Sequence, residues 1–238
     1  MMSKKQSPSG TEIAPNIFWI DGGSSNFYLC VEPEGLVLID TGMPNKQRQL
    51  LQLIAELGYT PQDVSSILVT HADVDHVGSL AAMQQATGAQ VYAGTETAVH
   101  LTAGTIPQHL FRLMETISRW MMRRHRLSAS AIINTFSDGD VLPFLGGMQV
   151  LATPGHTPDH HSFYSPTAGV LFAGDALNTR NGRIQSSPPR ITADKTAATA
   201  SAMRLLALAP ATIACGHGTP SSNHGMDTLM QLFNELRQ

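Results

Sequence analysis

From Ile17 the chain sets short apolar runs, IFWI, NFYLCV and GLVLID, between breaks of Gly, Ser, Pro and Glu, a pattern that predicts a meander of antiparallel strands. After Asp40-Thr41-Gly42, the residues Leu50, Leu51, Ile54 and Leu57 recur at helical spacing and Gly58 closes the run, which predicts an amphipathic helix over Gln47 to Leu57. SILVT, ending at Thr70, reads as a short buried strand, followed by the polar turn HADVDHVGS and a helix from about Leu80 to Thr87. VYAG reads as the next strand. From about 96 to 130 the pattern is mainly helical, with a helix over Gln108 to Leu127, and it reads as an inserted cap. MQVLAT, HSFYS and GVLFAGD follow as strands, and a loop rich in Arg, Asn, Ser and Pro (Asn178 to Arg190) leads to a helix over Ala193 to Leu208. ATIACGHGTP gives a strand and turn, and a helix from about Met226 to Leu236 ends the pattern.

Length and composition narrow this picture. At 238 residues, with 42% hydrophobic and 14% charged residues, the chain fits one compact domain with a sizeable core. The expected division is a flexible N-terminus over 1–15 and a single domain over 16–238. The opening MMSKKQSPSG lacks the apolar stretch of a secretory signal, so a cytoplasmic location is expected. Charges, prolines or glycines interrupt every hydrophobic run before the roughly 20 residues a membrane span needs. A net charge of -3 gives no field to hold a polyanion, so nucleic acid is not an expected partner. A small-molecule substrate is, with the chain a monomer or homodimer. Cys30 and Cys215 stand alone in apolar runs and read as buried free thiols.

The candidate chemistry lies in the turns. His71-Ala72-Asp73-Val74-Asp75-His76 packs two imidazoles and two carboxylates into six residues between a strand and a helix. A divalent metal offsets the desolvation and like-charge repulsion of such a cluster. On this segment alone the competing reading is a solvated turn with Asp75 capping the next helix. His156 in TPGHTPDH, His217 in CGHG and Asp175 in FAGD repeat the pattern of an apolar strand, a Gly and a potential ligand. Together they offer enough N and O donors for two ions with positions left for water, the arrangement of a catalytic site. There is no Gly-x-Ser-x-Gly elbow to suggest a nucleophilic serine.

The order HxxxDH, GH, GD, GHG resembles the metallo-β-lactamase superfamily from about Ile17 to Gly218. The resemblance implies an α/β fold, an αββα sandwich with the metal site at one edge. It implies that His71, Asp73 and His156 bind a first ion, that Asp75, His76 and His217 bind a second, and that Asp175 bridges them. It also implies a metallohydrolase in which metal-bound hydroxide attacks a small ester, lactone or thioester, with Asp75 helping to move the proton. Phosphodiesters and β-lactams are the next substrate classes. The departure is Asp73, where the family motif HxHxDH has its second histidine. Zinc is the expected metal, and the carboxylate admits iron or manganese; in an alternative reading Asp73 does not ligate and only the second ion binds well. Two divalent ions, three Asp carboxylates and one hydroxide sum to zero charge, which predicts a weaker Lewis acid than an all-imidazole cluster. An iron-dependent oxidoreductase of the same superfamily is the alternative, since di-iron members also carry a carboxylate at that position.

Other residues have competing readings. Asp40 in LIDTG stands where the family keeps an acid behind the metal, able to orient a ligand histidine, or is a strand-end turn residue. His160 and His161 are candidates for contacts around the site or for structural roles. The Met and Trp run of the cap reads as a hydrophobic face, and Arg123, Arg124 and Arg126 as a solvated face able to attract an anion.

Overall fold

The structure, a computed structural model, describes residues 9–109 and 112–222. The helix expected over Met226 to Leu236 lies outside the described residues. A first sheet carries, in order, β1 (Thr11–Ala14), β2 (Ile17–Asp21), β3 (Asn26–Glu32), β4 (Gly35–Ile39), β5 (Val64–Leu68), β6 (Gln90–Gly94) and β7 (Ile133–Phe136). Its first four strands pair antiparallel, as the meander predicts, and β4 through β7 pair in parallel. Parallel neighbours need crossovers. These are α1 (Gln47–Glu56) before β5, α2 (Val74–Val77) and α3 (Leu80–Thr87) before β6, and α4 (Thr95–Ala103) with α5 (Arg112–His125) before β7. Thr11–Ala14 falls inside the stretch expected to be loose, yet pairs with β2.

The second sheet begins with β8 (Val141–Leu142), β9 (Met148–Ala152), β10 (His161–Ser165) and β11 (Val170–Gly174). The loop expected over Asn178 to Arg190 contains a two-stranded ribbon of β12 (Leu177–Asn178) and β13 (Gln185–Ser186). Helix α6 (Lys195–Leu206) then returns the chain to β14 (Thr212–Cys215) and β15 (Ser221–Ser222), giving the order β15-β14-β11-β10-β9-β8. Asp194 caps α6 by accepting from the amides of Thr196 and Ala197 at 2.9 and 3.0 Å, a contact worth about 1 kcal/mol.

Side-chain alternation explains why the two sheets stack with helices outside. On β4, Leu36 and Leu38 point into a core with Leu50, Leu53 and Ile54 of α1, while Val37 and Ile39 point into the core between the sheets. On β11, Val170 and Phe172 face that central core, and Leu171 and Ala173 face Ala202 and Leu205 of α6. Three apolar layers therefore separate four structural ones, the αββα sandwich that the family resemblance implies. Strands buried on both faces read as unbroken hydrophobic runs, which is how GLVLID and GVLFAGD stood out. No helix among the described residues is long and apolar enough to cross a membrane.

Candidate metal centre

The parallel strands β4, β5, β11 and β14 end at the same edge of the sandwich, and the polar turns that follow them converge there. Three groups of ligand-type atoms lie mutually within 4.8 Å: His71, Asp73 and His156; Asp75, His76 and His217; and His71, His76 and Asp175. Asp175 touches both flanks, with Oδ1 at 3.2 Å from His76 Nε2 and Oδ2 at 3.4 Å from His156 Nε2 and 3.0 Å from His217 Nε2. All seven residues singled out in the sequence thus meet at one place.

The hydrogen bonds behind the cluster fix which ring nitrogen faces inward. Thr70 donates its backbone N–H and its hydroxyl to the two oxygens of Asp40, at 2.9 and 2.7 Å. With its hydrogen committed, Thr70 Oγ1 accepts from His71 Nδ1 at 2.9 Å, and Asp40 Oδ2 accepts from His76 Nδ1 at 2.8 Å. Both rings therefore turn an Nε2 lone pair toward the centre. Asp40 adopts a left-handed φ of 60° to reach them, a conformation uncommon outside glycine. Of its two competing readings, the orienting contact is the one the geometry realises.

His160 is also tied to the cluster. Its Nε2 accepts from the Asp175 backbone N–H at 2.9 Å and its Nδ1 donates to Thr153 Oγ1 at 2.8 Å, so the ring is neutral. Burial and the neighbouring His71 and His156 hold it well below the ordinary histidine range. His161 instead packs on Phe136, 5.2 Å between ring centroids. Gly216, just after β14, leaves room for the cluster: a Cβ there would lie 2.1 Å from Asp175 Oδ1 and 2.7 Å from His76 Cε1.

Two participants carried no signal that periodicity could register. Asp159, buried, accepts from the Ala72 backbone N–H at 3.0 Å and from Thr97 Oγ1 at 2.8 Å, pinning the turn of His71 to α4. His109, in the connection between α4 and α5, places Nε2 at 2.9 Å from Asp73 Oδ2.

The residues fit a metal. His71 Nε2, His76 Nε2, Asp73 Oδ1 and Asp175 Oδ1 are buried without a hydrogen-bond partner, although buried polar groups are almost always satisfied. Lone pairs of rings and carboxylates face one another across 3.0 to 3.6 Å, which repels unless a cation or proton lies between them. Burial pushes the carboxyls of Asp73 and Asp175 up, and the surrounding histidines outweigh it, leaving both well below the usual carboxylate range. Burial pulls His76 and His217 down, and Asp175 outweighs it, aided by Asp40 at His76, so both lie above the ordinary histidine value.

A pocket of about 430 Å³ opens over the cluster, lined by Asp73, Asp75, His109, His156, Asp175 and His217 on its floor. Its walls are largely apolar, with Met43, Met114, Ile117, Met121 and Ile191. The cap's Met run therefore serves the pocket, while Trp120 is exposed outside it. Arg180 lines the pocket; Arg123, Arg124 and Arg126 do not, and all three are exposed, as their reading as a solvated face has it. Cys30 and Cys215 are buried free thiols away from the pocket lining, and burial pushes both well above the ordinary thiol range.

An αββα sandwich whose strand-end turns gather histidines and aspartates beneath an open pocket has the architecture of a metallohydrolase. The chain belongs to the metallo-beta-lactamase superfamily, whose sequence profile matches residues 20–217. It is 26% identical to a probable metallo-hydrolase of Bacillus subtilis, YflN, over 99% of this chain and 96% of that protein. It is 32% identical to a hydroxyacylglutathione hydrolase of Rhodobacter capsulatus over 66% of this chain, spanning 49% of that enzyme. Among solved structures, the Rm3 metallo-beta-lactamase superposes with a TM-score of 0.68 at 22% identity, covering 89% of this chain and 78% of that one.

Proposed function

We propose that this protein is a metal-dependent hydrolase of a small ester, lactone or thioester that carries an apolar portion. The observation that carries the reading is the set of unpartnered, inward-facing ring nitrogens and carboxylate oxygens beneath a pocket with apolar walls. His71, Asp73 and His156 would hold one divalent ion, Asp75, His76 and His217 a second, and Asp175 would contact both; zinc is the expected metal. Bound there, such ions supply Lewis acidity and lower the pKa of water toward neutrality.

The chain's own residues do the rest. Asp40 and Thr70 hold His76 and His71 in the tautomer that offers Nε2. Asp75 is the most accessible carboxylate of the three, with its side chain 27% exposed, and it lines the pocket. That placement suits it to accept a proton from attacking water and return it to the leaving group. Met114, Ile117 and Met121 shield the acyl portion from bulk water, and Arg180 offers a cation to an anionic substituent.

The test is metal analysis of protein purified without added metal, paired with a panel of lactones, thioesters, phosphodiesters and β-lactams. Two ions per chain with turnover of a lactone or thioester supports the reading. The carboxylate at Asp73 favours one second reading, iron-dependent redox chemistry. Iron as the sole metal, with no hydrolysis across the panel, would replace the first reading by the second.

A further inference from the structure

Asp73 Oδ2 is met by three ring nitrogens: His71 Nε2 at 3.5 Å, His156 Nε2 at 3.2 Å and His109 Nε2 at 2.9 Å. The third comes from no strand-end turn but from the cap. Its other nitrogen, Nδ1, faces the carbonyl oxygen of Pro107 at 3.3 Å. A carbonyl can only accept, so Nδ1 carries the proton of the neutral ring and Nε2 presents its lone pair. The His109 side chain is 0% exposed, and its Nε2, like Asp73 Oδ1, has no hydrogen-bond partner. Its ring lies 4.9 Å from that of His156, inclined by 61°, so the two imidazoles converge on the same carboxylate.

We propose that His109 is a fourth protein ligand of the ion held by His71, Asp73 and His156. The inference rests on the metal reading above. It gives a chemical role to the most unusual feature of the motif. Asp73 removes an imidazole from the turn that follows β5, and His109 returns one from a distant segment. The first ion would then have three imidazoles and the Asp73 carboxylate beside the shared Asp175, a mixed nitrogen and oxygen donor set that suits zinc. It also ties the cap to metal loading, because a ligand lies between α4 and α5, whose residues Met114, Ile117 and Met121 wall the pocket.

The experiment compares the wild type with His109→Ala, each stripped with chelator and reloaded with zinc, by metal content and chelator competition. The wild type should hold two ions. His109→Ala should keep one and bind the other at least about 100-fold more weakly, at or beyond the 10- to 100-fold range expected on losing an outer-shell partner. A second measurement needs no variant: ¹⁵N spectra of the wild-type histidine rings should show five ring nitrogens shifting on zinc loading, those of His71, His76, His109, His156 and His217. Two ions held by His109→Ala with unchanged affinity, or four shifting nitrogens in the wild type, would overturn the role of His109 and leave the metal reading standing. A wild type that takes up no metal would overturn both.

Discussion

Asp40 Oδ2 accepts the Nδ1 proton of His76 at 2.8 Å, and the same carboxylate holds Thr70, which in turn holds His71. One residue in a left-handed conformation thereby orients a histidine on each flank of the cluster. Asp40→Ala should lower zinc affinity by about 10- to 100-fold, the usual effect of losing a partner behind a metal ligand. Chelator competition would measure it, and unchanged affinity would mean that packing alone holds both rings.

Gly216 makes a steric prediction. A methyl group there meets Asp175 Oδ1 at 2.1 Å, and Asp175 reaches both flanks of the cluster. Gly216→Ala should displace that carboxylate by several tenths of an ångström or more and reduce turnover by about 100-fold, as misplacements of about 1 Å do. Steady-state kinetics beside a thermal melt separates this from unfolding: the loss of rate should exceed any loss of folded protein.

Metal-free protein should lose stability as pH rises. His76 and His217 have raised values in the folded state, so their contribution is fully present below the ordinary histidine value of 6.5 and is lost as pH climbs through the folded values. Asp73 and Asp175 are depressed, so theirs is lost only in acid, below the usual 3.8. Between pH 6.5 and about 9 the raised histidines His76, His217 and His109 outweigh the lowered His160 and His161, whose opposite effect is largely complete near 6.5, and the melting temperature in EDTA should fall. Zinc needs unprotonated rings, so the stabilisation by added zinc should grow over the same interval. Melting curves at both pH values, with and without zinc, check both trends; a rise in EDTA would contradict the first.

The apolar walls predict chain-length selectivity. Met121 lines the pocket, so Met121→Ala should raise KM for a long acyl substrate several-fold more than for an acetyl one, at about 0.8 kcal/mol for each methylene left uncovered. Trp120, 63% exposed and outside the lining, serves as the control. Equal effects on both substrates would place the acyl group elsewhere.

The central core should be the costliest place to cut. Phe172, 1% exposed, packs edge-on to Tyr28 across the two sheets, 5.5 Å between ring centroids. Phe172→Ala should cost about 3–5 kcal/mol in denaturant unfolding, whereas Trp120→Ala should cost under about 0.5 kcal/mol.

The buried strands and the seven strand-end residues from His71 to His217 were legible in the sequence by themselves, and the αββα stacking followed from the family resemblance that their order carries. The strands rest on continuous apolar runs, and His156, Asp175 and His217 each sit beside a Gly that lets the backbone approach a ligand. The N-terminal strand Thr11–Ala14 was not legible, because its polar and half-buried residues take their order from β2. Nor was Asp159, whose partners Ala72 and Thr97 lie 87 and 62 residues away. Arg180 at the pocket was not legible either, since which side chains line it depends on how the cap folds back over the sandwich. His109 shows the same limit most sharply. Nothing in its neighbours along the chain marks it, and only the return of the cap across the strand ends places its ring nitrogen 2.9 Å from Asp73.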